Sequence, residues 1–468
     1  MKSKTLISAF LVLLVLMATA WAESDQTLEK VRKAIKEKGA RWEAGETWVS
    51  RLSSEEKDKL LGDVPAQLPG TQTARPTSGV SLPDSFSWRD YNGYNWTTPV
   101  KNQSACGNCW AYASCGALEV VVRLALNEPE LHIDLSELYL TSCSGRGCEL
   151  GWDQSSSLQF IKTHGVPDQS CFPGHLPPQP CADTCVEKYR RSIFIEEWYH
   201  DGFGFIVDPE DVETIKDRIL NYGPVTVHFE VFEDFDYYNS GVYEHVWGDS
   251  RGWHAVSMVG WNDQDSGWIC KNSWGTNWGQ GGWFRIRMMH AGVHIDEEAW
   301  HMTADSASIP RITLTAPGGG EKWLVGTTQS VKWLSPYLSG YLDIEYSTDN
   351  GSTWSSVTDS TFDDGSFAWV NIPDTPSPDC RVRIADAGDG NPWDMGDSAF
   401  SIVPLGDVNC DVNIGLTDVV YLINYAFKSG PEPCILEAGN VNCDWFTDSA
   451  DIVFLINYLF KGGPRPEC

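Results

Sequence analysis

Residues 23–63 place apolar side chains at helical spacing among basic ones. Leu28, Val31 and Ile35 fall on one face, and the run from Ser53 to Glu56 has the form of a helix start. Residues 64–81 are rich in Pro, Gly, Thr and Ser, which predicts an exposed linker. The pattern therefore predicts a small helical module joined by a linker to the rest of the chain.

From residue 82 to about residue 308, helical patterns are followed by alternating, strand-like ones. Runs of helices followed by runs of strands indicate an α+β fold. The predicted helices are Cys109–Leu126 and Asp211–Tyr222, and the predicted strands include His254–Trp261, Trp268–Asn272 and Trp283–Met288.

Residues 310–403 have short alternating segments separated by turns such as Asp349-Asn350-Gly351, which predicts a β-sandwich. The predicted strands are Ser330–Trp333, Leu342–Ser347, Ala368–Ile372 and Arg381–Ile384. The remaining residues repeat with a period of 33: Gly406–Asp411 recurs as Gly439–Asp444. This period predicts two copies of one loop–helix unit.

Charge restricts the partners. The chain has 34 Lys and Arg against 64 Asp and Glu, a net charge of −30, so its surface repels nucleic acid. Only the first 80 residues hold more basic than acidic side chains. We expect this module to be a removable pro-segment that covers an acidic cleft and inhibits it, released as acid protonates carboxylates. The alternative is a stray amphipathic arm.

Met1–Ala22 has the form of a secretory signal peptide: two early lysines, an apolar run and small residues at its end. The alternative, a retained membrane anchor, is disfavoured because the apolar run is short for a bilayer. No transmembrane anchor is expected, and the protein is predicted to be secreted, extracellular or cell-surface associated. In such a compartment its 14 cysteines can form disulfides.

Cys109 begins the long apolar helix, where the helix dipole is expected to lower the thiol pKa and favour a thiolate nucleophile. His254 can serve as its base. Asn272 can accept a hydrogen bond from the far ring nitrogen, and Trp274 can shield that bond from water. The other nine histidines are interpreted as structural or surface residues.

With Gln103, these blocks resemble the papain-like cysteine peptidases from Leu82 to about Ser308. The resemblance implies a two-lobed catalytic domain, with a helical lobe and a β lobe, that hydrolyses peptide bonds through an acyl-enzyme. Cys109 would be the nucleophile, His254 the base and Asn272 its orienter, while Gln103 would stabilise the oxyanion. Gly151 matches the position that pairs with extended substrate; Trp152 adjoins the pocket. The resemblance implies no cofactor for catalysis.

The resemblance also implies disulfides. The implied pairs are Cys106 with Cys148 and Cys143 with a cysteine of the 171–185 loop, preferably Cys185, leaving Cys171 with Cys181. Cys115 and Cys270 are left open between a bridge and two buried thiols.

Pro310–Val403 resembles the immunoglobulin- or fibronectin-like modules of secreted bacterial proteins, with a spacer role favoured over an adhesive one. Gly406–Cys468 resembles a dockerin, a calcium-binding loop–helix pair that docks onto a cohesin-like scaffold protein. The implied calcium ligands are Asp407, Asn409, Asp411 and Asp418 in the first loop, and Asn440, Asn442, Asp444, Asp448 and Asp451 in the second. Disulfides Cys410–Cys434 and Cys443–Cys468, holding the loops without metal, are the alternative.

The sequence thus predicts a signal peptide (1–22), a pro-segment and linker (23–80), a catalytic domain (81–308), a β-sandwich (309–404) and a dockerin-like domain (405–468). The expected function is a secreted endopeptidase, made as a zymogen, that acts on protein or peptide substrates. A catalytically degenerate adhesive or scaffold-bound protein is the alternative.

Overall fold

A computed structural model of the chain provides the structure. It describes residues 26–65, 81–173, 179–185, 188–203, 207–289, 292–306, 309–335, 340–388, 390, 392–444 and 446–467. The predicted signal peptide and most of the predicted linker lie outside these ranges. The chain divides into two compact units, Met1–Ile309 and Pro310–Cys468, each described below by itself.

The helices of the first unit include the predicted long one, against which two others, the fourth and fifth, pack. The helices are α1 (26–38), α2 (Ser54–Asp58), α3 (Cys109–Leu126), α4 (Glu137–Cys143), α5 (Gln154–His164), α6 (Lys188–Arg191) and α7 (Pro209–Tyr222). The pattern placed both ends of α3 correctly. Among the described residues, α3 is the helix long and apolar enough to cross a membrane, but 78% of it is buried in the protein. It is hydrophobic on nearly every side because it forms the centre of a core.

One twisted sheet dominates the first unit. Its strands run in the order β1-β7-β10-β9-β8-β6-β11-β5, with β2 beside β8. They are β1 (Trp42–Ala44), β2 (Ser85–Ser87), β5 (Glu197–Gly202), β6 (Val225–Phe232), β7 (Tyr238–Tyr243), β8 (Ser250–Asn262), β9 (Gly267–Lys271), β10 (Trp283–Arg287) and β11 (Glu298–Thr303); β3 (Val166–Pro167) and β4 (Ser192–Ile193) form a separate pair. Strand β8 begins four residues before His254, so the histidine lies inside a strand instead of at its start.

Strands β6 and β8 carry two buried histidines, His228 and His254. They pair antiparallel, with His228 opposite Ala255 and Phe229 opposite His254. Because side chains alternate along a strand, this register sends His228 and His254 to opposite faces of the sheet. Strand β9 ends at Lys271, so Asn272 is the first residue after it.

Disulfides connect the loops around α4. Cys106 is bonded to Cys148, as the resemblance implied. The pairing of Cys143 with Cys185 is wrong: Cys143 is bonded to Cys181, and Cys171 to Cys185. The reason is local, because the Cys185 N–H donates to the Cys171 carbonyl at 3.0 Å and so brings those two residues together. Cys115 and Cys270 are buried free thiols.

The second unit begins with two sheets that share one hydrophobic core, whose members include Trp333, Ile344 and Trp369. One sheet has the order β12-β14-β17, the other β13-β20-β18-β15-β16 with β19 beside β18. The strands are β12 (Thr313–Ala316), β13 (Lys322–Leu324), β14 (Gln329–Leu334), β15 (Tyr341–Ser347), β16 (Ser355–Phe362), β17 (Ser366–Trp369), β18 (Ser377–Asp386), β19 (Trp393–Met395) and β20 (Phe400–Val403).

The 33-residue repeat forms two similar helices, α8 (Leu416–Lys428) and α9 (Ser449–Lys461). Leu422 and Leu455, which are equivalent in the two repeats, are buried in a small core that the helices share. Cys410 is bonded to Cys434. Cys443 is also disulfide-bonded, while its predicted partner Cys468 lies outside the described residues.

Candidate active site

Cys109 is the first residue of α3 and is fully buried. The backbone N–H of Ala255, the residue after His254, donates to its Sγ atom at 3.4 Å. Burial, together with the negative charge of Asp63, raises the pKa of Cys109 to about 12. The prediction of a lowered thiol pKa is therefore wrong for this closed form, because a covering segment removes water and brings a carboxylate close.

His254 is buried, and its Nε2 atom lies 2.8 Å from Oδ1 of Asn272. The Trp274 ring lies 4.9 Å from the imidazole, centroid to centroid, and covers this pair. Burial lowers the pKa of His254 to about 4, although the Asn272 contact and Asp63 oppose the shift. The structure thus brings together three residues that are distant in sequence, with a neutral imidazole next to a protonated thiol.

Gln103 is buried beside the same centre. Its Nε2 atom donates to the carbonyl oxygens of Cys106 at 2.7 Å and Leu60 at 3.0 Å, and its Oε1 atom accepts from Ser273 Oγ at 2.5 Å. These contacts fix the side-chain amide with an N–H directed at a carbonyl oxygen in the cleft. Such a donor can stabilise an oxyanion.

Residues Leu60–Val64, here called the covering segment, pass over Cys109. The Gly62 N–H faces the sulfur, so the segment offers it a donor instead of a carbonyl carbon to attack. Gly62 fits because a Cβ there would lie 1.9 Å from the Gly107 carbonyl oxygen. The segment therefore blocks the nucleophile without being positioned for cleavage.

Trp152 provides the backbone pairing for the covering segment. Its N–H donates to the Gly62 carbonyl at 2.9 Å, and its carbonyl accepts from the Val64 N–H at 3.2 Å. Gly151 has φ +59°, and a Cβ there would lie 2.5 Å from the Gly62 oxygen. Trp152 thus pairs with the covering segment, and Gly151 allows the close approach; pairing of Gly151 with a substrate stays a prediction. The Trp152 ring packs against Trp110 at 5.1 Å.

Ion pairs of both polarities attach α2 to the first unit. Lys57 contacts Asp236 at 3.1 Å, whereas Asp58 contacts Arg251 at 2.7 Å. A basic module resting on an acidic cleft is therefore too simple a description of the interface. Backbone hydrogen bonds of the covering segment and its buried carboxylate, Asp63, also stabilise this interface.

Comparison with known proteins identifies the family. Residues 82–303 match the family described as papain family cysteine protease. The chain is 32% identical over 301 residues to cathepsin B-like CP3 of Giardia intestinalis, covering 61% of this chain and 97% of that protein. It is 31% identical over 242 residues to cathepsin B-like cysteine proteinase 1 of Haemonchus contortus, covering 45% of this chain and 70% of that protein.

The chain belongs to the papain family of cysteine proteases. In fold, this papain-family protease is similar to procathepsin B S9 of Trypanosoma congolense, with a TM-score of 0.52 at 23% identity over 59% of this chain and 98% of that one. It is also similar to procathepsin L 3 of Tenebrio molitor, with a TM-score of 0.51 at 22% identity over 62% of this chain and 91% of that one. Both neighbours are procathepsins by name.

Sequence reasoning missed part of the cleft. Asp63 of the covering segment is fully buried and lies 2.7 Å from His228, one of the histidines interpreted as structural or surface. The sequence-based interpretation did not foresee this ion pair. The groups that pair with His228 lie far from it along the chain, so the sequence offered only a weak signal: a histidine within the largely apolar strand β6.

The papain-family protease also carries the predicted metal residues in its second unit. The carboxylate oxygens of Asp407, Asp411 and Asp418 lie within 4.8 Å of one another. Asn409 is nearby, and its Oδ1 accepts from the Asp411 N–H at 2.8 Å. Burial and the carboxylates of Asp418 and Asp411 raise the pKa of Asp407 to about 6. Clustered carboxylates of this kind fit a hard cation such as calcium.

The second loop is arranged in a similar way, with one difference. Asn440 and Asn442 accept from the Asp444 N–H, both at 3.1 Å, and Asp451 accepts from the Asn442 N–H at 3.2 Å. Asp448 is the N-cap of α9 and accepts from the Ala450 N–H at 2.7 Å. Its side chain is therefore used in capping the helix.

Proposed function

We propose that this protein is a secreted cysteine endopeptidase, made as a zymogen, in which Cys109, His254 and Asn272 form the catalytic triad. The observation that carries the proposal is the convergence of these side chains and Gln103 beneath one covering segment. A triad with all its members present and an intact donor also argues against a degenerate adhesive protein.

The chemistry follows from the contacts. Once the covering segment leaves, His254 removes the Cys109 proton and the sulfur attacks the substrate carbonyl, forming a C–S bond. The oxyanion accepts hydrogen bonds from Gln103 Nε2 and the Cys109 N–H. His254 then protonates the leaving amine as the C–N bond breaks, which leaves a thioester. Water, deprotonated by His254, attacks the thioester, releases the acid and restores the thiol.

Asn272 acts through His254. Its Oδ1 atom holds Nε2, which leaves Nδ1 to exchange the proton. The test is Cys109→Ala in the full chain, assayed with casein after the pro-segment has been removed by an added protease. We expect no cleavage by the variant and cleavage by the parent. Equal cleavage by both would overturn the proposal.

We further propose that the second unit tethers the enzyme, with the two sheets as an immunoglobulin-like spacer and the repeats as a dockerin-like module. The first-loop carboxylates would hold calcium. Val420 and Phe427 of α8 and their equivalents Val453 and Phe460 of α9 are exposed, which supports a docking surface for a cohesin-like scaffold protein. Binding of a cohesin domain to the full chain, with calcium or with EDTA, tests this; binding unaffected by EDTA or by Asp407→Ala would contradict the calcium site.

A further inference from the structure

A closed pocket next to Cys109 holds the Asp63 side chain. This side chain is fully buried, and two donors hold its two oxygens: His228 Nδ1 lies 2.7 Å from Oδ2, and Gln154 Nε2 donates to Oδ1 at 3.0 Å. Both donors are themselves buried. The pocket is thus built around a carboxylate, with a separate partner for each oxygen.

The contacts of the two ring nitrogens of His228 indicate its charge. Its Nδ1 atom contacts Asp63, and its Nε2 atom lies 3.1 Å from Oε2 of Glu298. Ionised carboxylates only accept hydrogen bonds, so both ring nitrogens must donate and the ring is an imidazolium. Burial lowers the pKa of His228, but the two carboxylates outweigh it and raise the pKa to about 9.

Other elements complete the pocket. His200 of β5 lies 3.3 Å from Glu298, so that carboxylate is shared between two histidines behind the pocket. The rings of Trp253 and Trp300 lie 5.0 Å and 5.3 Å from the His228 ring and form apolar walls. Such walls keep water away and strengthen the interaction of His228 with a carboxylate.

The course of the covering segment through the cleft indicates which part of a substrate lies against the pocket. Gly62 faces Cys109, while Leu60 lies near His254, the residue that must protonate the leaving amine. Asp63 lies beyond Gly62, on the side away from Leu60. The leaving group therefore occupies the Leu60 side and the acyl part of the substrate the Asp63 side.

Removal of the pro-segment takes the Asp63 carboxylate away. His228 Nδ1 and Gln154 Nε2 then lose their acceptor while remaining in a recess, and unpaired buried donors are costly. We propose that this pocket binds the carboxylate of a substrate aspartate that lies on the acyl side of the cleaved bond, in the place of Asp63, which makes His228 a specificity-determining residue. The inference rests on the proposed peptidase function and names its substrate class: peptides acidic at this position.

Neutral and basic side chains are disfavoured for different reasons. Asparagine has the shape of aspartate but no charge for His228, leucine leaves both donors unpaired, and arginine brings a cation against the imidazolium. Hydrogen bonds to charged groups are strong enough for us to expect cleavage of the aspartate peptide about 10- to 100-fold more efficiently than the asparagine peptide.

The test uses the full chain after pro-segment removal and acetyl-Ala-X-Gly-aminomethylcoumarin peptides with X as Asp, Glu, Asn, Leu or Arg. We expect kcat/KM to be highest for Asp. In His228→Gln the ratio of kcat/KM for the Asp peptide to kcat/KM for the Asn peptide should fall to about 1. His164→Gln, at an exposed histidine of α5, is the matched control and should keep the parent ratio.

Each outcome is decisive. Parent enzyme that cleaves the Asn or Leu peptide as well as the Asp peptide overturns the inference, even if His228→Gln fails to fold. The same holds if the enzyme digests casein but not the Asp peptide, and in both cases the peptidase function stands. If activated enzyme digests neither casein nor any peptide, the proposed function itself fails, and the inference with it.

Discussion

His228 and His254 are two buried histidines on adjacent strands, and their pKa values shift in opposite directions. Burial lowers the pKa of His254 to about 4, whereas carboxylates raise the pKa of His228 to about 9 against the same effect of burial. The difference lies in the partners: a neutral amide, Asn272, for one and two carboxylates, Asp63 and Glu298, for the other. One strand pair thus provides both a proton acceptor and a fixed cation.

The largest expected effect separates the two histidines by role. His254→Ala should lower kcat/KM for the best peptide by at least about 10³-fold, because base and acid are lost together. His228→Gln should instead lower the ratio of kcat/KM for the Asp peptide to kcat/KM for the Asn peptide to about 1. Steady-state kinetics on processed full-length variants measures both. Similar losses in the two variants would contradict the division of roles.

Asp63→Ala should weaken inhibition by the pro-segment. The change leaves His228 facing an empty recess, and breaking a buried pair is strongly destabilising, so we expect the inhibition constant of separately made residues 23–80 to rise by about 10²-fold or more. Glu55→Ala, at an exposed position of α2, is the matched control and should change it little. An unchanged constant for Asp63→Ala would show that the pocket contributes nothing to inhibition.

The pH dependence of the same inhibition should have two arms. The closed form favours neutral His254, so inhibition should weaken about tenfold per unit as pH falls from about 6.5 toward 4. It also favours charged His228, so inhibition should weaken similarly as pH rises from about 6.5 toward 9. Inhibition constants measured across this range should be lowest near pH 6.5.

His228→Gln makes that measurement specific. It should remove the contribution of His228 to the alkaline arm and leave that of Cys109, because the raised pKa of Cys109 makes the closed form favour the protonated thiol. The acidic arm should remain, since His254 is unchanged. Loss of the acidic arm instead would mean that His228, and not His254, causes the weakening of inhibition at low pH.

The smallest expected effect concerns Glu298. Glu298→Gln removes one of the two carboxylates on His228 and should lower its pKa in the precursor by about one unit. A histidine NMR titration of the full-length Cys109→Ala precursor measures it. His254 should titrate as in the parent precursor, and an unchanged His228 would mean that Asp63 alone sets its charge.

The sequence predicted that Cys109, His254 and Asn272 meet at one site because a local motif surrounds each of them, and the apolar pattern located both ends of α3. It could not predict the pocket, since Asp63 and His228 are 165 residues apart and meet only in the folded chain. The Cys143 partner was missed for a similar reason: two candidates in one loop differ only in how that loop folds. The Cys109 pKa depends on a segment that only the fold places over it.

The central claim is that Cys109 is a nucleophile released when the covering segment leaves. Labelling the full chain with a thiol-directed epoxide before and after pro-segment removal, followed by peptide mapping, tests it directly. The account predicts rapid labelling at Cys109 in the processed form, little in the precursor, and none at the buried thiols of Cys115 and Cys270. Equal labelling of the precursor, or no reaction at Cys109 after processing, would contradict it.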